Sequence, residues 1–80
     1  MAVKLVFLGR LADLAGAPER EVEAPLDWSM LLEALEGDLG DWVAGDKVRV
    51  ALNGTLLPDK AALFASDGDE VALLPPVSGG

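Results

Sequence analysis

With fourteen aspartates and glutamates, six lysines and arginines, and no histidine, cysteine or tyrosine, this 80-residue chain has few ways to do chemistry. Lacking cysteine, it has no thiolate nucleophile, thiolate metal site or redox pair. Lacking histidine, it has no side chain whose ordinary proton affinity sits near neutral pH. General acid or base work would fall to carboxylates or to the three lysines. One acidic constellation, Asp67, Asp69 and Glu70 in "SDGDE", lacks the further ligands and spacing of a calcium loop, and Asp-Gly-Asp is read as a turn before a strand. No catalytic side chain and no metal site are therefore assigned. What remains is "LLPPVSGG": Pro75, Pro76, Val77 and Ser78 lead to Gly79 and Gly80, whose terminal carboxylate is the reactive group the sequence presents.

The stretch from Pro75 to Gly80 spans about 20 Å when extended, at roughly 3.3–3.6 Å per residue. That length suffices to enter another protein's active site. Pro75 and Pro76 favour a polyproline conformation, which reduces the entropy lost when a partner orders the segment. Gly79 and Gly80 carry no side chains, so the carboxylate can pass down a channel that admits little more than backbone. The plainer alternative is an inert end, since chain termini are commonly small and polar. The chain is accordingly divided into a domain over 1–74 and a flexible C-terminal tail over 75–80.

A short domain must hold this tail. "VKLVFLG" reads as a strand with Val3, Leu5 and Phe7 on one face and Lys4, Val6 and Leu8 on the other. Apolar residues on both faces make it central. Arg10 to Gly16 suits a short helical turn, and Glu19 to Ala24 an exposed second strand. Trp28, Leu31, Leu32, Leu35 and Leu39 follow the i, i+3, i+4 stripe of one amphipathic helix over 27–39, capped by Asp27 or Ser29 and ended by Gly37 or Gly40. "GDLGDWVAGD" is expected as a loop that tucks Trp42 and Val43 against the core. Val48, Val50 and Leu52 alternate on one strand, Asn53-Gly54 is a two-residue hairpin turn, and Thr55 to Leu57 folds back. A last strand, Glu70 to Leu74, ends at the prolines. The expected fold class is α+β: a mixed sheet of four to five strands, one main helix, first and last strands side by side, and an extended C-terminal tail. That is the β-grasp, or ubiquitin-like, arrangement.

Composition narrows the partners. A net charge of −8 repels phosphate backbones and anionic lipid, so neither nucleic acid nor membrane is expected, whereas a basic protein surface is. No apolar run approaches the roughly 20 residues of a membrane span, and the start of the chain lacks signal-peptide character, so the expected location is cytoplasmic.

"DGDEVALLPPVSGG", together with "VKLVFLGRLADLAG" and "VALNGTLL", resembles the small subunit of molybdopterin synthase, one of the ubiquitin-like sulfur carriers. The resemblance covers nearly the whole chain, with Ala12 standing where relatives often have a basic residue. It implies that the Gly80 carboxylate is adenylated with ATP by an enzyme related to the ubiquitin-activating enzymes, then converted to a thiocarboxylate. Gly80 would thus carry a glycyl-adenylate or 1-thioglycine during the cycle, with no resident cofactor. It also implies insertion of the tail into the synthase large subunit, within a heterotetramer, to make molybdopterin from cyclic pyranopterin monophosphate. The protein would then be a non-catalytic sulfur donor, the active-site side chains belonging to the large subunit.

Val6, Leu8 and Leu74 are expected to face away from the helix, and with Leu57 to form a docking patch for these partners, the alternative being a second face covered by the chain's own loops. Trp28 and Trp42 are read as core and loop packing. Two other functions fit the same sequence: a carrier for thiamine or tRNA thiolation or a ubiquitin-like protein modifier, and a β-grasp interaction module with an inert tail.

Overall fold

The alternation at the start of the chain becomes the middle of a sheet. In the computed structural model, which describes residues 1–35 and 37–75, strand β1 (Ala2–Phe7) buries Val3, Leu5 and Phe7 on one face. It pairs antiparallel with β2 (Glu19–Glu23) on one side and parallel with β7 (Glu70–Leu74) on the other. β4 (Arg49–Leu52) pairs antiparallel with β7 and with β5 (Thr55–Leu56), giving the mixed order β2-β1-β7-β4-β5. A parallel neighbour cannot follow through a tight turn, so the elements between β1 and β7 must cross over. They lie against one face of the sheet and enclose the core.

That crossover carries α1 (Arg10–Ala15), β3 (Leu26–Asp27), α2 (Trp28–Ala34), α3 (Asp38–Ala44), a 3-10 turn at Lys60–Ala62 and β6 (Phe64–Ala65). Leu11, Leu31, Leu39 and Val43 reach down from the helices onto Leu5, Val50, Val71 and Leu73 of the sheet in one cluster. Asp27 supplies the cap expected of it, its Oδ1 accepting from the Met30 N–H at 2.9 Å. The adjacency of β1 and β7 and the overall β-grasp arrangement agree with the sequence reading.

The helix expected over 27–39 is instead two helices, and the segment expected as a loop is mostly α3. The apolar stripe is real, but Leu35 leaves helical geometry (ψ 117°) and Gly37 turns at φ 64°, ψ −141°, a conformation that favours glycine. α3 then restarts the stripe, with Leu39 and Val43 buried and Trp42 left 36% exposed. At Gly40 a β-carbon would stand 2.6 Å from the Leu35 carbonyl oxygen, so the two helices meet where only glycine fits. A second sheet, β3 against β6, pairs Leu26 with Ala65 and Asp27 with Phe64. Its two-residue strands are too short to show any period.

Candidate functional site

The candidate site is the outer face of the sheet together with the end of β7, where the chain leaves the domain. Cross-strand register places Glu19, Val6, Ala72, Ala51 and Leu56 in one row across all five strands. Leu74 lies in the next row towards the chain's exit, beside Arg49. The Leu8 N–H donates to the Leu73 carbonyl at 3.2 Å, which extends the parallel ladder one step past β1. On the opposite side of the apolar row lie Glu21, Lys4 and Glu70. An apolar band, small at its centre because of two alanines, thus crosses the sheet beside the exit point and is bordered by charge.

The expected docking residues divide. Val6 and Leu74 are half-buried on the outer face, and Leu8 is 41% exposed at the end of β1. Leu57 does not join them: it packs against the core, its N–H donating to the Val50 carbonyl at 2.9 Å. Leu56, which the sequence reading missed, takes the outer position and is 47% exposed. The signal was available. Asn53 and Gly54 adopt positive φ (51° and 84°), and a two-residue turn pairs Leu52 with Thr55 and Ala51 with Leu56. With Val50 and Leu52 on one face, Ala51 and therefore Leu56 belong to the other.

Pro75 is half-buried; Pro76, Val77, Ser78, Gly79 and Gly80 lie outside the described residues.

The acidic turn is occupied with holding the opposite end of the sheet. Asp69 accepts from the Ser66 N–H at 2.8 Å through Oδ2 and from Asn53 Nδ2 at 3.1 Å through Oδ1. The backbone hydrogen bond from Ser66, then that from Asn53, hold the Asp69 carboxyl below its ordinary range. Asp67 accepts from the Ala2 N–H at 2.9 Å, and Asn53 Oδ1 from the Glu70 N–H at 2.9 Å. These contacts tie the starts of β1 and β7 to the β4–β5 hairpin, as turn chemistry should.

Lys60, also missed in the sequence, donates to the carbonyls of Val43 at 2.9 Å, Val48 at 2.8 Å and Gly45. Its ammonium lies 5.6 Å from the centroid of the Trp28 ring. Desolvation lowers its proton affinity, and nearby Asp46 partly offsets this. Among the described residues no helix is long and apolar enough to cross a membrane.

Comparison with known proteins gives a consistent result. Residues 5–80 match the ThiS family. A curated relative, the molybdopterin synthase sulfur carrier subunit of Drosophila yakuba, is 31% identical over 98% of this chain and 90% of its own. Among solved structures, the complex of subunits 1 and 2 of the molybdopterin-converting factor from Helicobacter pylori contains a chain 29% identical, with TM-score 0.68 and all of both chains covered. SAMP1 from Haloferax volcanii, a small archaeal modifier protein, is 27% identical with TM-score 0.72, again over the whole of both chains.

Proposed function

The chain belongs to the ThiS family, and from that premise we propose that it is the sulfur-carrier subunit of a molybdopterin synthase, working in the cytoplasm through its terminal Gly80. The observation that carries this reading is spatial: the apolar row of Val6, Ala72, Ala51 and Leu56, with Leu74 beside it, lies next to the end of β7 from which the chain departs at Pro75. A partner that docks on this face receives the tail at its edge. The names of the relatives in Drosophila yakuba and Helicobacter pylori support the same assignment.

A carboxylate is a poor electrophile because neither oxygen can leave. On the activating enzyme, a Gly80 carboxylate oxygen attacks the α-phosphorus of ATP and pyrophosphate departs, so the acyl carbon now bears AMP. Hydrosulfide adds to that carbon and AMP leaves with the bonding electrons, giving the thiocarboxylate. In the large subunit, the sulfur bonds to a carbon of cyclic pyranopterin monophosphate as a C–O bond at that carbon breaks and its oxygen leaves with the electron pair, which joins substrate and Gly80 through a thioester. Water then attacks the acyl carbon, the C–S bond breaks towards the product, and Gly80 returns to a carboxylate. This chain contributes the docking face, the tail and the acyl carbon; with −8 net charge it is poorly suited to hold a phosphorylated substrate, which falls to the large subunit.

Removing Gly79 and Gly80 tests the reading. The truncated protein should keep its unfolding midpoint and its affinity for the large subunit, and should support no cofactor synthesis. Retained synthesis would show the reading to be wrong.

The likeness to a small archaeal modifier protein favours one second reading, in which the activated Gly80 carbonyl is attacked by a lysine amine of a target protein. Target peptides bearing the Gly79-Gly80 remnant in an isopeptide bond would identify that outcome.

A further inference from the structure

The geometry points to Gly9 as a positioning residue for sulfur transfer: it seats Pro75, the first residue of the tail, and so sets the direction in which the tail leaves the sheet. This rests on the sulfur-carrier reading. The ladder that holds β7 against β1 reaches the Leu73 carbonyl, which accepts from the Leu8 N–H at 3.2 Å. Pro75 has no N–H with which to continue it. Pro75 comes close to Gly9 instead: an added β-carbon there would stand 3.2 Å from Pro75 Cγ, tight enough that the ring would have to give by a few tenths of an ångström.

Gly9 is also fixed from its other side. It links the end of β1 to α1, its carbonyl accepts from the Ala12 N–H at 3.1 Å, and it holds φ 55°, ψ −129° with no side-chain cap on the helix. That backbone region is open to glycine and costly for other residues. A residue with a side chain at position 9 therefore has two responses: the backbone rotates and carries Leu8 and Arg10 with it, or it stays and Pro75 moves. Both re-aim the segment that follows. A displacement of about 1 Å at the reacting group can cost up to roughly a hundred-fold in rate, and the carrier carbon lies five residues beyond Pro75.

The test compares wild type, Gly9→Ala, Pro75→Ala and the double variant as substrates for the activating enzyme with ATP and sulfide. Gly9→Ala should lower kcat about ten-fold or more while KM, set by docking on the sheet face, stays within about two-fold, the unfolding transition remaining cooperative. In the double variant the loss should be smaller than the product of the two single losses, because the ring that the new methyl displaces is gone and only the backbone strain at φ 55° remains. An unchanged kcat in Gly9→Ala, or effects of the two substitutions that simply multiply, overturns the proposal.

If wild type takes up no sulfur, the carrier reading is what has failed. The seat is then judged by nuclear magnetic resonance, from the Overhauser contact between Gly9 Hα and Pro75 Hγ and the amide resonances of Val77 to Gly80. A contact in wild type and resonances moved by Gly9→Ala support the seat; no contact, or unmoved resonances, overturns it.

Discussion

Lys60 uses its ammonium protons on the carbonyls of Val43 and Gly45, at the C-terminal end of α3 where backbone acceptors lack helical partners, and on that of Val48 just before β4. Replacing it by Met keeps the stem near Trp28 and leaves those carbonyls to water or to nothing. The expected cost is about 1–2 kcal/mol, read from urea unfolding. Asp69 makes a prediction in pH. Its carboxyl is held below the ordinary value of 3.8, so the folded protein binds fewer protons than the unfolded chain just below that pH. Its contribution is full above 3.8 and disappears as pH falls through the folded value. The thermal midpoints of wild type and Asp69→Ala should therefore converge on acidification, and a constant gap would contradict the assigned cause. At this scale the sequence was uneven. The turn roles of Asn53 and of Asp67 to Glu70 follow from residue type alone, because short polar side chains satisfy nearby backbone. Lys60 could not be read that way, since its partners are seventeen, fifteen and twelve residues away and nothing local marks them.

Between elements, the decisive contact is at Gly40. Glycine in a helix interior usually costs up to about 1 kcal/mol relative to alanine, so Gly40→Ala would stabilise an isolated α3. Here the methyl would stand 2.6 Å from the Leu35 carbonyl oxygen, and relieving such an overlap costs about 1–3 kcal/mol. The clash should win, with a net loss in denaturant unfolding; a gain in stability would mean that α2 and α3 do not meet as described. The strands were legible because alternation in β1 and the two-residue β4–β5 turn are local signals of burial and register. The helix break was only half legible: Gly37 stands among the expected ends, but the apolar stripe continues past it to Leu39, and only the backbone direction shows that a second helix starts there. The hairpin also predicts a split between neighbours. Leu56→Asp should weaken docking on the large subunit by about 2 kcal/mol, roughly thirty-fold, with little change in unfolding, whereas Leu57→Asp should destabilise the fold. Calorimetric titration and urea unfolding of the two variants check both halves.

At the scale of the whole molecule, the hydrogen-bonded turns and the apolar face lie towards opposite ends of the sheet. Asp67, Asp69 and Asn53 close the end at which β7 starts; Val6, Leu56 and Leu74 line the approach to the end at which it finishes. On the proposed sulfur-carrier reading, a chain with no histidine and no cysteine contributes a shaped surface and one acyl carbon, and leaves proton transfer and phosphate binding to partners. The fold class was readable because it rests on residue type and spacing, while the seating of Pro75 on Gly9 joins residues sixty-six positions apart and needed the fold. The direct test of the account is the intact mass of the protein after incubation with a matching activating enzyme, ATP and sulfide. The account predicts a gain equal to exchanging one oxygen for sulfur, confined to the fragment ending in Gly80 and absent when Gly79 and Gly80 are removed. An unchanged mass, with an enzyme shown to bind this chain and to load another carrier, would contradict it.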